Sequence, residues 1–582
     1  MGSIVTVNLA LAAGLLLVPW LGGDFLAWQI GLFLLYGVAA QGVGFAWGRG
    51  GFLPLGNALF FGLGAYGAAA VLKATEGALW VNLAAMALIA LLCAALAFGI
   101  ALLLFRGRMG SGPGFSLVTL ALVLIAAQIA ETTPALTGGF NGFSGYPPLA
   151  GLDPFGGLYP VIVALVVAVT LSLTLIERLP AGLILRGLVA QEERLELLGF
   201  APHRVKAWAF AGSAGIGALA GSLYASHQGI VTPQAIGFML SAELVIWAAV
   251  GGRFSPLGPL LGAVAIGWAS SALRDTVAWW EVGVAAVFLL VVLLQPGGAM
   301  DLIHRGIARL GLTRRRRDAP PLPAPPSRAA AARGPLRLCD VGLSAGGIRI
   351  LDRLSLALPE AGILCVIGPN GAGKTTMLNA VTARLPVQSG QITLGAVSLG
   401  GKATWQMLDH GIARKMQIPT VFGALTLREN LQLAALAGRM RGLDALRPSP
   451  LRWQTPPVAR LLADPEVPLA AGLDKDAGHL PQGHRQFLEL AMTLSPEPRL
   501  VMLDEPAAGM SPAETQLMVR LARDYQQQTG AAIVVIEHDM HLVDALADEV
   551  AVLHQGRTLA TGSLAEVRRD PLVAAVYAGG HK

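Results

Sequence analysis

About ten apolar stretches, most of them close to the length of a bilayer crossing, follow one another through the first 300 residues of this chain. Crossing the hydrocarbon takes about 20 mostly apolar residues, and in lipid a lone segment satisfies its own backbone groups only as a helix. The stretches cover 4–21, 25–47, 58–73, 80–105, 115–131, 158–176, 207–227, 239–252, 257–273 and 281–296. Several are short, so they predict an N-terminal α-helical polytopic membrane domain of about 8–10 transmembrane helices.

With 582 residues, 54% of them hydrophobic and 13% charged, the chain is too large for one soluble domain and too apolar for an ordinary pair. Most of the charge lies beyond residue 300, so the two halves differ in kind. The N-terminus lacks the basic region and small-residue cleavage site of a secretory signal, and the first apolar stretch is expected to be a retained span.

Loops on the cytoplasmic side should carry the lysine and arginine excess. With the N-terminus inside, that set holds Arg49, Arg106, Arg108, the charged loop 177–206, Arg253 and the tail from Arg305 to Arg317, against little more than Lys73 and Arg274 outside. The C-terminal half is therefore expected in the cytoplasm. The formal charge of +6 has its densest run at Arg314–Arg317, directly after an apolar segment and without interleaved aromatic residues. That pattern fits a cytoplasmic membrane flank rather than a nucleic-acid surface, so the expected partner is the lipid membrane and no nucleic acid. Cys93, Cys339 and Cys365 lack metal-ligand spacing and are expected to be reduced and buried.

Three loops carry more than connector chemistry. The glycine-rich stretch from Gly51 to Tyr66 permits broken helices or, the reading favoured here, close helix packing. Leu136-Thr-Gly-Gly-Phe-Asn-Gly142 falls in an outer loop, as an ordinary turn or part of a substrate mouth. The inner loop 177–206, with Gln191-Glu-Glu-Arg194 and Gly199, is polar and helix-permissive, and is the longest inner loop able to reach a soluble partner domain.

Residues 318–335 are rich in proline and alanine, a composition that cannot form a packed core. This sets the expected domains: a membrane domain over 1–300, a basic and Pro/Ala-rich linker over 301–335, and a soluble α/β domain over 336–582. Within the last, apolar Ile363–Ile367 predicts a buried strand running into Gly368-Pro369-Asn370-Gly371-Ala372-Gly373-Lys374-Thr375-Thr376, a complete G-x-x-x-x-G-K-T. Glycines of such a loop let backbone N–H groups cradle phosphates at a helix N-terminus, while Lys374 reaches the outer phosphates and Thr375 can ligate Mg²⁺. A second strand, Leu500–Leu503, ends in Asp504-Glu505, where the aspartate can hold Mg²⁺ and the adjacent carboxylate can orient or deprotonate a water. A third, Ala532–Ile536, runs into Glu537-His538-Asp539, at the strand end where sites in open α/β sheets gather.

The order of this P-loop, Gln417, the segment Leu480–His484, Leu503-Asp-Glu-Pro506 and His538 resembles the nucleotide-binding domain of ABC transporters over essentially all of 336–582. The resemblance implies a P-loop NTPase fold and an ATPase coupled to transmembrane solute transport, with ATP and Mg²⁺ as cofactors. It also implies roles. Gln417 senses the γ-phosphate and the permease and joins Thr375 and Asp504 around the metal. Glu505 activates water, His538 contacts the γ-phosphate, and Gly483 faces ATP held by an opposite subunit. Two departures stand out. The family signature Leu-Ser-x-Gly-Gln is here Leu480-Pro481-Gln482-Gly483-His484, which loses the serine hydroxyl, and an adenine-stacking aromatic is replaced at a position resembling Ala345.

Ala507-Ala-Gly-Met510, Gly562–Val567 with Asp570-Pro571 and Val576-Tyr577, and in the membrane half Gly62–Tyr66, Thr137–Gly142, Leu198-Gly199 with Lys206, and Ala218–Leu223 resemble importers of branched-chain amino acids, urea and short-chain amides. Pro54 departs from that permease pattern, which tends to have serine there. Ile418–Phe422, Val552–Gly556 and Ser241–Gly252 look slightly closer to the urea and amide members. The resemblance implies a fused permease–ATPase subunit in a bacterial inner membrane, importing a small polar solute. It implies a periplasmic solute-binding protein near 132–157, a second permease subunit and a second ABC ATPase subunit, with a homodimer as the alternative. Competing readings are a half-exporter, an importer of aromatic or carboxylic acids, and a membrane sensor without a transport pathway.

Overall fold

The computed structural model describes residues 2–106, 112–273, 279–309, 334–440, 442–448 and 454–578. The chain divides into two compact units, one of 1–189 with 202–318, the other of 190–201 with 319–582. The short segment 190–201, from the inner loop, thus folds with the C-terminal unit. The proline-rich stretch 318–333, the run Arg314–Arg317, Arg108 and Arg274 lie outside the described residues, whereas the start of the expected linker is the helix Gly298–Arg309.

In the first unit each of the ten apolar stretches coincides with a helix or the larger part of one. Among the described residues, five helices are long and apolar enough to cross a membrane: Val18–Gly50, Asn57–Ala74, Leu79–Arg106, Pro113–Thr132 and Tyr159–Ile176. A sixth is counted if Val282–Leu294 and Gly298–Ile307, bent by 53°, form one span. The helix Pro202–Gln228 has 27 residues but is rich in alanine, glycine and serine, which lowers its apolarity while letting neighbours approach closely.

Close packing is what the glycine-rich stretch does. A Cβ on Gly64 would lie 2.1 Å from the Ala218 carbonyl oxygen, and one on Gly221 would lie 1.9 Å from that of Phe61. The Gly62–Tyr66 and Ala218–Leu223 motifs therefore form the two faces of one helix contact, where any side chain would push the backbones apart. Hydrogen bonds add to it: the Ser222 hydroxyl donates to the Gly64 carbonyl at 3.2 Å, and that of Ser213 to Asn57 Oδ1 at 3.1 Å. Between other helices, Gln41 Nε2 donates to Thr170 Oγ1 at 2.9 Å, and it also donates to the carbonyl of Pro256, in a turn, at 2.7 Å. Interhelical bonds of this kind contribute about 1 kcal/mol each.

Loops assigned to the same side lie together. Arg49 pairs with Glu177 at 2.6 Å and donates to the Phe254 carbonyl, and the Arg253 guanidinium stacks 4.2 Å from the Trp47 ring centroid. On the other side, Lys73 sits over the Phe143 ring, and Phe143-Ser144 pairs antiparallel with Ile230-Val231. The outer segment from Leu136 is a helical turn, Pro134–Thr137, followed by a 3-10 turn, Gly139–Asn141.

The second unit holds two sheets. Its six-stranded sheet runs in the order Arg557–Gly562, Glu549–His554, Gly362–Ile367, Ala532–Ile536, Leu500–Asp504, Ile412–Lys415, parallel except for the first pair. Leu500–Asp504 and Ala532–Ile536 are buried at every residue, as continuous apolar runs must be in a sheet covered on both faces. The four-stranded antiparallel sheet, ordered Ile348–Leu358, Leu336–Ala345, Ser389–Leu394, Val397-Ser398, largely alternates buried and exposed residues as a half-covered sheet does. Cys93 and Cys365 are buried, but Cys339 is exposed on the Leu336–Ala345 strand, contrary to the expectation, because it falls on the outward phase of that alternation.

Candidate nucleotide site

Parallel register explains how residues far apart in sequence reach one place. Lys415 aligns with Leu503, Asp504 with Ile536, and Ile536 with Val366. The carboxyl ends of four adjacent strands are therefore level, and the next residues along each, Gln417, Glu505, His538 and the loop from Gly368, emerge at the same edge.

The loop 368–373 closes tightly. A Cβ on Gly368 would lie 2.2 Å from the Leu553 carbonyl oxygen, so this position must be glycine for the backbone to turn against the neighbouring strand. Gly373, in left-handed conformation, caps the helix Lys374–Val381. Pro369, Asn370, Gly371 and Ala372 span the turn between them. Lys374 Nζ donates to the carbonyls of Gly368 at 2.7 Å and Pro369 at 3.0 Å, folding its ammonium back over the loop. Burial lowers the Lys374 pKa, while Glu505 and Asp504 oppose the shift. Thr375 is exposed and Thr376 half-buried in the first helical turn.

At the facing strand ends, Glu505 Oε2 accepts from Gln417 Nε2 at 2.9 Å, and Glu505 Oε1 lies 3.1 Å from His538 Nε2. Glu505 has a φ of +45°, a conformation costly for a residue with a side chain. Its N–H donates to the Ile536 carbonyl at 3.0 Å, which ties the strained residue to the neighbouring strand. Asp504 is buried, with Oδ2 accepting from Arg414 Nη2 at 3.0 Å. Burial raises the Asp504 pKa and the arginine opposes it. The other oxygen, Oδ1, is buried without a hydrogen-bond partner. A carboxylate oxygen left open in this way fits a Mg²⁺ ion, which needs only one or two protein oxygens when phosphates and water complete its shell.

The residues of the altered signature do not join this cluster. Pro481 is the N-cap of the helix Gln482–Leu494 and supplies no side-chain cap. Gly483 packs toward Glu514, whose Oε1 would be 2.3 Å from an added Cβ. Ala345 is exposed at the end of its strand, before Gly346 and Gly347, both of positive φ.

A family model described as branched-chain amino acid transport system / permease component matches residues 26–294, and one described as ABC transporter matches 351–508. The high-affinity branched-chain amino acid transport ATP-binding protein LivG of Salmonella typhimurium is 35% identical over 238 residues, covering 40% of this chain and 93% of LivG. The chain belongs to the ABC transporter family. BraF of Pseudomonas aeruginosa, another high-affinity branched-chain amino acid transport ATP-binding protein, is 34% identical over 242 residues, with 40% of this chain and 93% of BraF covered. A solved nucleotide-free ATP-binding cassette from an ABC transporter is 24% identical with a TM-score of 0.36, covering 42% of this chain and 98% of its own.

This ABC chain is thus a membrane protein with a helical permease unit and an ATPase unit, and its hydrolysis of ATP is coupled to transport in an import system. Next to the candidate nucleotide site lies a layer of buried charge that sequence reasoning missed. Arg414 holds Asp504 and also donates to Asn379 Oδ1 at 2.7 Å, while Lys415 lies 3.6 Å from Glu489. Glu489 Oε1 in turn accepts from the Met416 N–H at 3.2 Å and from Thr420 Oγ1 at 2.8 Å, fixing the backbone that leads into Gln417. The only sequence signal was two adjacent cations in Ile412–Lys415, beside apolar Ile412 and Ala413.

Proposed function

We propose that this chain supplies one permease and one motor to a binding-protein-dependent importer of the bacterial inner membrane, carrying a branched-chain or related small amino acid. The observation that supports it best is the meeting of Gln417, Glu505 and His538 beside the P-loop, in a chain whose residues 26–294 match a branched-chain permease model. Similarity to LivG and BraF, both branched-chain amino acid transport proteins, favours branched-chain amino acids over the urea and amide solutes toward which three motifs lean.

In this reading the P-loop from Gly368 to Thr376 holds the ATP phosphates, with Lys374 swinging from its two carbonyls to the outer ones. Glu505, oriented by Gln417 and His538, accepts the proton of the attacking water, and His538 reaches the γ-phosphate. Mg²⁺, held by Thr375, Asp504 and Gln417, would neutralise charge on the phosphates. Gly483 presents the signature end to ATP on a second ATPase subunit. Because Pro481 lacks the hydroxyl, that partner's site is the weaker of two, which favours a heteromeric assembly over a homodimer. A second permease subunit and a periplasmic solute-binding protein complete it. The domain limits at 300 and 336 place the basic, proline-rich linker between permease and motor.

The test is uptake into proteoliposomes containing the full chain and its partner subunits. Accumulation of labelled leucine that needs both ATP and a separate binding protein supports the proposal. Outward transport of a hydrophobic dye would instead make the chain a half-exporter, and uptake of urea alone would move the solute to the amide group.

A further inference from the structure

Strand register decides which way Arg414 faces. In the strand Ile412–Lys415, Arg414 aligns with Met502, and alternate residues of a strand share a face, so Arg414, Met502 and Asp504 lie on one side of the sheet. Met502 belongs to the same apolar core as Met377 and Leu378 of the helix Lys374–Val381. Lys415, aligned with Leu503, takes the opposite face. The two adjacent cations therefore serve different layers, and Arg414 is the one directed toward the P-loop helix.

Its guanidinium is buried, and the two terminal nitrogens bind different elements. Nη2 donates to Asp504 Oδ2 at 3.0 Å, at the end of the strand Leu500–Asp504. Nη1 donates to Asn379 Oδ1 at 2.7 Å and to Thr382 Oγ1 at 3.2 Å. Asn379 lies in the helix that opens with Lys374 and Thr375, and Thr382 is the C-cap of that helix. Nε is buried without a hydrogen bond, so the hydrogen bonds of the guanidinium all run between the strand end and the helix.

Stability alone does not account for such a pair. Taking a guanidinium and a carboxylate out of water costs several kcal/mol per ion, and well-packed apolar residues often hold a fold at least as firmly. The charged pair does something apolar residues cannot, which is to fix the rotation of the Asp504 carboxylate. With Oδ2 committed to Arg414, Oδ1 is the oxygen left open. Through Asn379 and Thr382 the same planar group refers that carboxylate to the helix that carries Thr375.

We propose that Arg414 is a positioning residue for the metal ion: spanning from Asn379 and Thr382 to Asp504 Oδ2, it sets the open oxygen of Asp504 in register with Thr375. The proposal rests on the reading above in which these two residues hold Mg²⁺. Partners that orient a metal ligand without touching the metal typically carry 10-fold to 100-fold of a site's affinity.

The experiment uses the full chain in detergent and a fluorescent, non-hydrolysable ATP analogue, with affinity measured in chelator and across rising Mg²⁺. Arg414→Lys keeps the charge but cannot span both elements, and Asn379→Ala leaves the pair with Asp504 intact while loosening its tie to the helix. Both variants are expected to bind the analogue in chelator within about twofold of wild type, and to need about tenfold more Mg²⁺ for half of the tightening that Mg²⁺ gives. Wild-type Mg²⁺ dependence in Asn379→Ala would show that the tie to the helix sets nothing, and overturns the proposal. So does an equal loss of affinity with and without Mg²⁺, accompanied by a lower melting temperature, which marks a merely structural residue. Wild type that binds the analogue equally well in chelator and in Mg²⁺ points instead to failure of the metal reading, and the proposal falls with it.

Discussion

Glu505 and His538 meet at 3.1 Å between Oε1 and Nε2, and the remaining oxygen of the same carboxylate accepts from Gln417. Both oxygens of that carboxylate are thus held by side chains from neighbouring strand ends, while its strained backbone is tied to the Ile536 carbonyl.

Glu505→Gln should bind ATP with wild-type affinity and lower turnover by about 100-fold or more, because the amide keeps the shape but cannot take a proton. Single-turnover hydrolysis and nucleotide binding on the same preparation check this. Hydrolysis at the normal rate would remove Glu505 from its assigned role.

Pro481→Ser should raise ATP hydrolysis of the assembled transporter several-fold. Serine at this N-cap position can accept from an N–H of the first turn, a cap worth about 1 kcal/mol, and it returns the hydroxyl that the signature lacks. Steady-state rates at saturating ATP give the answer, and no increase would mean that the altered signature is tolerated as it stands.

Glu514→Gln should flatten the acid side of the stability profile. Hydrogen bonds from the Ser511 backbone and hydroxyl hold the Glu514 carboxyl below its ordinary pKa of 4.5. The folded state therefore binds this proton less readily than the unfolded state does. The stabilisation is present above 4.5 and is lost as the pH falls through the lower folded value. Glu566, held down by Ser563 in the same way, contributes in the same window. Melting of the chain in detergent between neutral and acid pH should show a smaller acid-side drop in the variant. An identical drop would dissociate the two capping boxes from the acid limb.

Gly221→Ala should disturb the permease unit and spare the motor. The added carbon has no room beside the Phe61 carbonyl, and overpacking of this kind costs about 3 kcal/mol. Thermal aggregation in detergent should begin at lower temperature, with ATP binding by the folded chain intact. Unaltered thermal behaviour would mean that the helices separate freely at this crossing.

Much of the site was legible because its parts are local. A P-loop is nine consecutive residues, Gly368–Thr376, and each carboxylate or histidine follows directly on an apolar run that can only be a buried strand. Helical spans were legible for the same reason, since length and apolarity are properties of one segment. Close packing at Gly64 and Gly221 was anticipated as a type of contact, but not as a pairing of these two motifs.

The sequence by itself determined the helical membrane half, the strand-then-loop chemistry of the motor, and the residue types available for ATP hydrolysis. Only the tertiary structure decided that Gln417, Glu505 and His538 share one edge, because that follows from strand register. It also placed 190–201 in the ATPase unit, with Arg194 against Glu489, 295 residues away in sequence. The physical reason is that backbone pattern reports burial and period within a segment. Which buried charge matches which depends on Coulombic and hydrogen-bond partners that chain folding alone brings within about 3–4 Å.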